Sequence, residues 1–351
     1  MKIDRSTKLP LDKFIEFALY DKDNGYYMKK NPFGIEGDFI TAPNITRLFS
    51  EIIAIWLITF WKSIGSPEKF NLLELGAGNG EMMKVIISTL KNFPDCFNNC
   101  SFQIHEKSAF LKKQQHKNLK SENVTWIDDI KKDNSYPTIF LANEFFDALP
   151  VKQFFKKNEG WVERFVDFKE IDRAKFEEQY TDIKKIEKIL NFEISKDQKI
   201  IEYSPSSFEY LKNICDIIKK NNGGILIIDY GYLNSKMHET LQAVNKHKYS
   251  NILKNIGDSD ITYNINFNLF QKFTDQFPNL NAIITNQKKF LTSMGLLQRA
   301  EIISKNIPFS KKTDLFYRIK RLIDEKQMGE LFKVMLIKNK SNKFNTGFQI
   351  D

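Results

Sequence analysis

The chain has 351 residues, 42% hydrophobic and 28% charged, with a formal net charge of +9. This is the composition of an ordinary globular protein of one large domain or two, and no stretch reaches the ~18 apolar residues of a membrane helix, so no integral membrane segment is expected. Only 7 of the 53 basic residues are Arg, and the Lys are spread along the chain without clustering, so the charge predicts no nucleic-acid partner.

Residues 10–30 open with apolar side chains at 14, 15, 18 and 19, a helical stripe that Asp23-Asn24-Gly25 ends with turn chemistry. Residues 34–43, GIEGDFITAP, read as an irregular loop, and 44–65 as one long apolar helix ended by Gly65. From Phe70 strands and helices alternate: strand LLELG, helix 79–91, strand 101–106, helix 108–119, strand 124–128 and strand 138–144. The last, TIFLANE, is nearly continuous in apolar residues, as buried parallel strands are. Residues 151–200 interrupt the pattern with a β-hairpin around Asn158-Glu159-Gly160 and a charged, weakly patterned stretch. Helix 205–221 and strand 223–231 resume it, and 232–280 is a second irregular insertion. A short strand at 281–285, helices 288–303 and 313–326 and strand 331–339 follow, and the polar tail 340–351 is expected to fray. The sum predicts an α/β fold: a parallel, Rossmann-like sheet with helices on both faces over 70–339, two insertions within it, and an N-terminal helical extension, 1–69, that contributes to the site.

Three cysteines, an odd and low count, predict a reducing compartment without disulfides. Cys96 and Cys100 have no second Cys/His pair, so no metal is expected. The N-terminus has no apolar signal core, which predicts no secretion. A cytoplasmic protein is expected for a bacterial source, or one of the mitochondrial matrix for a eukaryotic one.

The first chemical constellation is Glu74, Gly76, Gly78 and Gly80, in LLELGAGNG, where a strand stops on glycines and opens a helix. Such a turn presents backbone N–H groups to a nucleotide-like ligand. The dinucleotide fingerprint is G-x-G-x-x-G; here the third glycine comes one residue early, behind an acid, which resembles class I S-adenosylmethionine methyltransferases. Glycines let the backbone approach closely, and an acid offsets the ammonium and sulfonium charges of that cofactor. A plain strand-to-helix turn also suits glycine. Glu106 ends the second strand, where an acid can accept from both ribose hydroxyls, or simply sit in solvent. Asp128 and Asp129 end the third, where an acid can meet the adenine amino group; a solvated turn or helix cap fits equally.

Asn143-Glu144-Phe145-Phe146-Asp147-Ala148-Leu149-Pro150 follows the fourth strand, whose carboxyl end faces the ligand crevice of such sheets. Glu144 and Asp147 are three apart, so on a helical turn they share a face, and paired carboxylates suit a guanidinium. Asp147 can alternatively cap the segment that follows.

These stretches, with GDFITAP at 37–43, HEKSAFLKKQ at 105–114, GWVER at 160–164, EYSP at 202–205, IIDYGY at 227–232, SDITYNINF at 259–267 and RLIDEKQMGELFKVM at 321–335, resemble the MidA-type methyltransferases nearly end to end. That is the family of the mitochondrial complex I assembly factor that methylates arginine. The resemblance implies arginine methylation of a protein substrate, a respiratory subunit among the candidates, with S-adenosyl-L-methionine (SAM) as cofactor. It implies that GDFITAP, with Thr41 and Pro43, closes over the cofactor. Glu74, the three glycines, Glu106, Asp128 and Asn143 would hold SAM, and Glu144, supported by Asp147, would orient the guanidinium and take its proton. A homodimer is left open. Departures stand at Ala77 and Asn79, where the family commonly has Pro and Arg, and at Asn44 and Ser50, where it has Glu and Gly. At Asn264 and Asn266 the family has His and Asp. Asn cannot titrate, so a non-catalytic assembly factor on the same fold is the competing expectation. A nicotinamide oxidoreductase is disfavoured by the glycine spacing.

Overall fold

The computed structural model describes residues 8–29, 32, 41–132, 135–167, 174–245 and 248–349. Residues 33–40, most of the expected loop and the GDFI of its motif, lie outside them. The chain starts with β1 (Lys8–Pro10), α1 (Leu11–Tyr20), α2 (Tyr26–Lys29), α3 (Ala42–Ile45) and α4 (Arg47–Ser63). The stretch read as one helix from 44 is therefore two. Thr46 is extended, at φ −156°, and its side chain accepts the Leu48 N–H to cap α4.

Next come β2 (Phe70–Leu75), α5 (Glu81–Leu90), α6 (Pro94–Asn98), β3 (Cys100–His105), α7 (Ala109–Asn118), β4 (Val124–Ile127) and β5 (Thr138–Asn143). The first interruption holds β6 (Lys152–Lys157), β7 (Gly160–Asp167), β8 (Lys175–Thr181), α8 (Lys184–Leu190) and β9 (Ile200–Tyr203). Then α9 (Pro205–Asn221) and β10 (Gly223–Tyr232) precede the second interruption: β11 (Gln242–Asn245), β12 (Lys248–Ser250), β13 (Asp260–Thr262), β14 (Ile265–Asn266) and α10 (Phe267–Thr274). The chain closes with β15 (Leu280–Asn286), α11 (Gln287–Ser293), α12 (Leu296–Ser304), α13 (Phe309–Ile323), α14 (Met328–Leu331) and β16 (Phe332–Asn339).

The main sheet runs β15-β16-β10-β5-β2-β3-β4, with β14 added beside the end of β10. Strands β4, β3, β2, β5 and β10 are mutually parallel, and β16 is antiparallel to both of its neighbours. Successive residues face opposite sides, so Leu72 and Leu73 enter different cores. One core packs α4, α5 and α11 to α13; the other packs α1, α9 and α10. The expected α/β sheet with helices on both faces is what the chain forms. β3 and β4 lie on one side of β2, and β5 and β10 on the other, so the order reverses between β2 and β5. Crevices for ligands open at such reversals.

The expected hairpin forms, β6 pairing with β7 across Asn158-Glu159, and it sits within a separate antiparallel sheet, β1-β7-β6-β9 with β8 on β7, which ties β1 to the first interruption. Two expectations need correction. The helix read at 288–303 breaks at Gly295, whose left-handed φ of +84° starts α12. The described part of the tail, through residue 349, packs instead of fraying. Phe344 packs on Trp56 and Phe60, Phe348 is buried, and the Trp56 indole donates to the Thr346 carbonyl at 3.2 Å. Phe344 holds the tail against α4, and Phe348 holds it against Phe290 of α11.

Candidate active site

A cavity of about 650 Å³ lies at the carboxyl ends of β2, β3, β5 and β10. Its inner wall begins at the glycine turn after β2. Gly76, Gly78 and Gly80 take φ of +64°, +54° and +83°, a left-handed run that side chains resist. At Gly76 space is also decisive, because a Cβ there would fall 2.8 Å from Cδ2 of Phe145. Gly76 and Gly78 line the cavity; Gly80 lies behind, starting α5 against Leu119 and Gln115.

Glu74, on β2 just before the turn, is 2% exposed, and its Oε2 has no hydrogen-bond partner. Burial, with the Glu106 charge, pushes its carboxyl up to about 8. Glu106 lines the cavity at the end of β3, and burial raises it too. It accepts the Ser108 N–H at 2.8 Å and the Gln115 amide at 3.0 Å. Gln115 donates to the Gly78 carbonyl as well, at 2.9 Å, and accepts the Trp126 indole N–H at 2.8 Å. One glutamine thus locks the acid to the glycine turn. Asp128 stands apart. Its side chain is 89% exposed, pairs with Lys112 at 2.7 Å and is absent from the cavity wall. The strand above it ends at Ile127, and the solvated-turn alternative describes its place.

Beyond β5 the backbone is strained: Glu144 sits at φ +51°, a conformation that non-glycine residues hold only when their surroundings enforce it. The enforcing group is Asp229, at the end of β10 and fully buried, whose Oδ2 accepts the N–H groups of Phe145, Phe146 and Asp147 at 3.2, 3.0 and 3.3 Å. Glu144 Oε1 accepts the Ala42 N–H at 3.4 Å and the Asn143 amide at 3.3 Å, and burial raises its carboxyl to about 7. Asp147 is 4% exposed with Oδ1 unpartnered, and burial and then the Asp229 charge raise its pKa well above the carboxylate range. Glu144 and Asp147 both line the cavity; Asn143 sits behind, its own carbonyl oxygen Oδ1 also unpartnered.

Thr41 lines the cavity, while Pro43 is buried in α3 away from it. The departures at 44 and 79 touch: the Asn79 amide donates to Asn44 Oδ1 at 3.3 Å. Where the resembled family has a Glu and an Arg, this chain has two amides that bond each other. The other pair separates. Asn264 lines the cavity, but Asn266 caps α10, its Oδ1 accepting the Leu269 N–H at 3.2 Å. Asp and Asn cap helices about equally, so the second change removes no group from the cavity.

Sequence reading passed over several wall residues. His105 Nε2 lies 2.7 Å from the Tyr210 hydroxyl, with Nδ1 3.1 Å from the Ile127 carbonyl. Nδ1 can only donate to that carbonyl, and burial lowers the His105 pKa, so the ring is a neutral acceptor for Tyr210. Tyr20, Tyr27, Tyr230 and Asp260 also face the space. Asp229 was legible as an acid at a strand end within IIDYGY. Asp260, deep in an irregular insertion, carries no local signal.

Several known proteins are similar to this chain. Protein arginine methyltransferase NDUFAF7, mitochondrial, of Xenopus tropicalis is 26% identical over 95% of this chain and 83% of its own length. The Homo sapiens protein of that name is 27% identical over 94% and 80%. A crystal structure from Burkholderia thailandensis, bound to S-adenosyl-homocysteine, superposes with a TM-score of 0.80 over 98% of this chain and 89% of that one, at 21% identity, a likeness of fold. The profile of the S-adenosyl-L-methionine-dependent methyltransferase family matches residues 52–284, and the chain belongs to that family.

Proposed function

We propose that this methyltransferase transfers the methyl group of SAM to an arginine of a protein substrate, with Glu144 receiving the proton. The observation that carries this reading is one cavity with two unlike ends. One end is the glycine turn; the other presents Glu144, half-buried on strained backbone, and the buried Asp147. The named activity of the relatives supports it.

The residues at the first end suit the cofactor. Gly76 and Gly78 bring bare backbone to the cavity wall, and behind them the buried Oε2 of Glu74 has no hydrogen-bond partner. In this reading Glu74, Gly76, Gly78, Gly80 and Glu106 hold the cofactor; Asp128 would need to turn inward from its pair with Lys112. Thr41, Pro43 and Asn143 support the adjoining wall. When bound, SAM supplies an electrophilic methyl on a sulfonium.

This chain's own residues do the rest. A guanidinium has a pKa above ~12 and is a poor nucleophile, so orientation comes first and proton loss late. Glu144 Oε1 is held by the Ala42 N–H and the Asn143 amide, which fixes the carboxylate. A carboxyl near 7 is ionised often enough to bind the cation and basic enough to accept its proton. Asp147 supports the charge of the bound group. The N-terminal helices and the second insertion serve the substrate side. Following the resemblance, a respiratory complex I subunit is the proposed target, and the compartment follows the source, matrix or bacterial cytoplasm. Among the described residues no helix is long and apolar enough to cross a membrane.

The alternative of a binding module that transfers nothing now rests on Asn264 alone. One experiment decides. Isotopically labelled SAM is supplied with extract from cells lacking the protein, and methylarginine is read by mass spectrometry. Wild type should deposit label on arginine. Glu144→Gln should bind SAM normally and lose transfer by about 10²- to 10⁴-fold. No label with wild type favours the binding module, and full activity in Glu144→Gln removes the role given to that residue.

A further inference from the structure

The methyltransferase sheet builds only the inner half of the cavity. The outer half comes from α1, α2 and the second insertion, through Tyr20, Tyr27, Asp260 and Thr262. These pieces are joined across the fold. Tyr27 donates its hydroxyl to Asp260, with oxygens at 2.9 and 3.1 Å, across 233 residues of sequence. Tyr27 stacks on Tyr20 at 5.5 Å between ring centroids, and the Tyr20 hydroxyl donates to the Ala148 carbonyl at 3.1 Å. Three residues after Asp260, the Tyr263 N–H donates to the Asp147 carbonyl at 3.3 Å. The insertion is thus stitched to the same loop that carries the proposed proton acceptor.

Asp260 is 4% exposed and faces the cavity. Its charge raises the pKa of both Glu144 and Asp147, so the three carboxyls share one field. Asp147, also 4% exposed and in the wall, keeps an oxygen with no partner. Like charges that share a buried site repel, and a buried oxygen without a donor is costly. Both costs are relieved by a planar cation that donates to several acceptors at once, which a guanidinium does and an ammonium does less well. The tyrosine pair beside it already takes a cation, the Lys107 ammonium 4.7 Å from the Tyr20 ring centroid, so this wall favours positive charge.

Resting on the arginine reading above, we infer that Asp260 is a substrate-binding residue that, with Asp147, grips the guanidinium from the side opposite the glycine turn, Tyr27 acting as its positioning residue. The second insertion then carries substrate specificity, and the core sheet carries cofactor binding.

The test uses the full chain saturated with S-adenosylhomocysteine, and reads thermal stabilisation by ethylguanidinium and by butylammonium chloride at matched ionic strength. Wild type should be stabilised by ethylguanidinium. Asp260→Asn should bind S-adenosylhomocysteine as wild type does, which establishes its fold, and weaken the ethylguanidinium response at least about tenfold. Tyr27→Phe leaves the carboxylate and removes its anchor, so its response should fall between the two. If Asp260→Asn loses its fold, Tyr27→Phe alone decides, and a wild-type response there overturns the inference. Equal responses in wild type and Asp260→Asn overturn the inference and leave the arginine reading standing. A wild-type response to butylammonium alone overturns the arginine reading. No response of wild type to either cation overturns both.

Discussion

Gly76 and Phe145 meet across the two strand ends that frame the cavity: a Cβ on Gly76 would stand 2.8 Å from Cδ2 of Phe145. The glycine turn and the loop of the proposed proton acceptor are therefore one fitted surface. Gly76→Val is predicted to force Phe145 aside and to strain a backbone at φ +64°. SAM affinity should drop about tenfold or more in a calorimetric titration, with the fold retained by circular dichroism. Unchanged affinity would remove this turn from the cofactor site.

Asp229 holds the strained loop by accepting three successive N–H groups on one oxygen. Asp229→Ala leaves those amides buried without a partner. The expected cost is about 2–4 kcal/mol in denaturant unfolding, well beyond that of an average surface change. Activity should fall with it, because the left-handed turn at Glu144 loses what enforces it. A loss under about 0.5 kcal/mol would show that other contacts hold the loop.

The buried acids give a pH signature of unusual sign. Burial raises Glu74 and Asp229 to about 8 and Glu144 to about 7. Each folded-state value lies above the unfolded one, so the native chain binds more protons over the interval between them. Their contribution is fully present below the unfolded carboxylate range and is lost as pH rises through the folded values. The cofactor-free protein should therefore melt lower as pH climbs from about 5 to about 8. Glu144→Gln should flatten part of that slope. A melting temperature that rises over this interval would contradict the burial assigned to these groups.

Asn266 is expected to matter as a cap and not as a proton carrier. Asn266→Asp should leave stability and transfer nearly unchanged, whereas Asn266→Ala should cost about 1 kcal/mol in thermal unfolding. A large gain of activity in Asn266→Asp would instead return this position to the chemistry.

The alternation of apolar strands with amphipathic helices, and the acid-glycine turn after β2, were written locally in the chain. Period-two and helical patterns, and left-handed turns, depend on near neighbours, so they survive without knowledge of the fold. The same holds for acids near strand ends, which is why Glu74, Glu106, Glu144 and Asp147 stand out in the sequence as candidates. Local pattern also had limits within the sheet domain: Asp128 follows a strand as Glu106 does, yet pairs outward with Lys112 while Glu106 is tied inward by Gln115. What tertiary structure decided was the far wall. The contact of Tyr27 with Asp260, the Asn44–Asn79 pair and the packing of Phe344 and Phe348 join residues remote in sequence. No periodicity encodes such contacts, since they arise only when an insertion, an N-terminal helix and a tail are folded onto a sheet already built. The glycine turn is thus a property of neighbouring residues, and the far wall of the cavity a property of the packed whole.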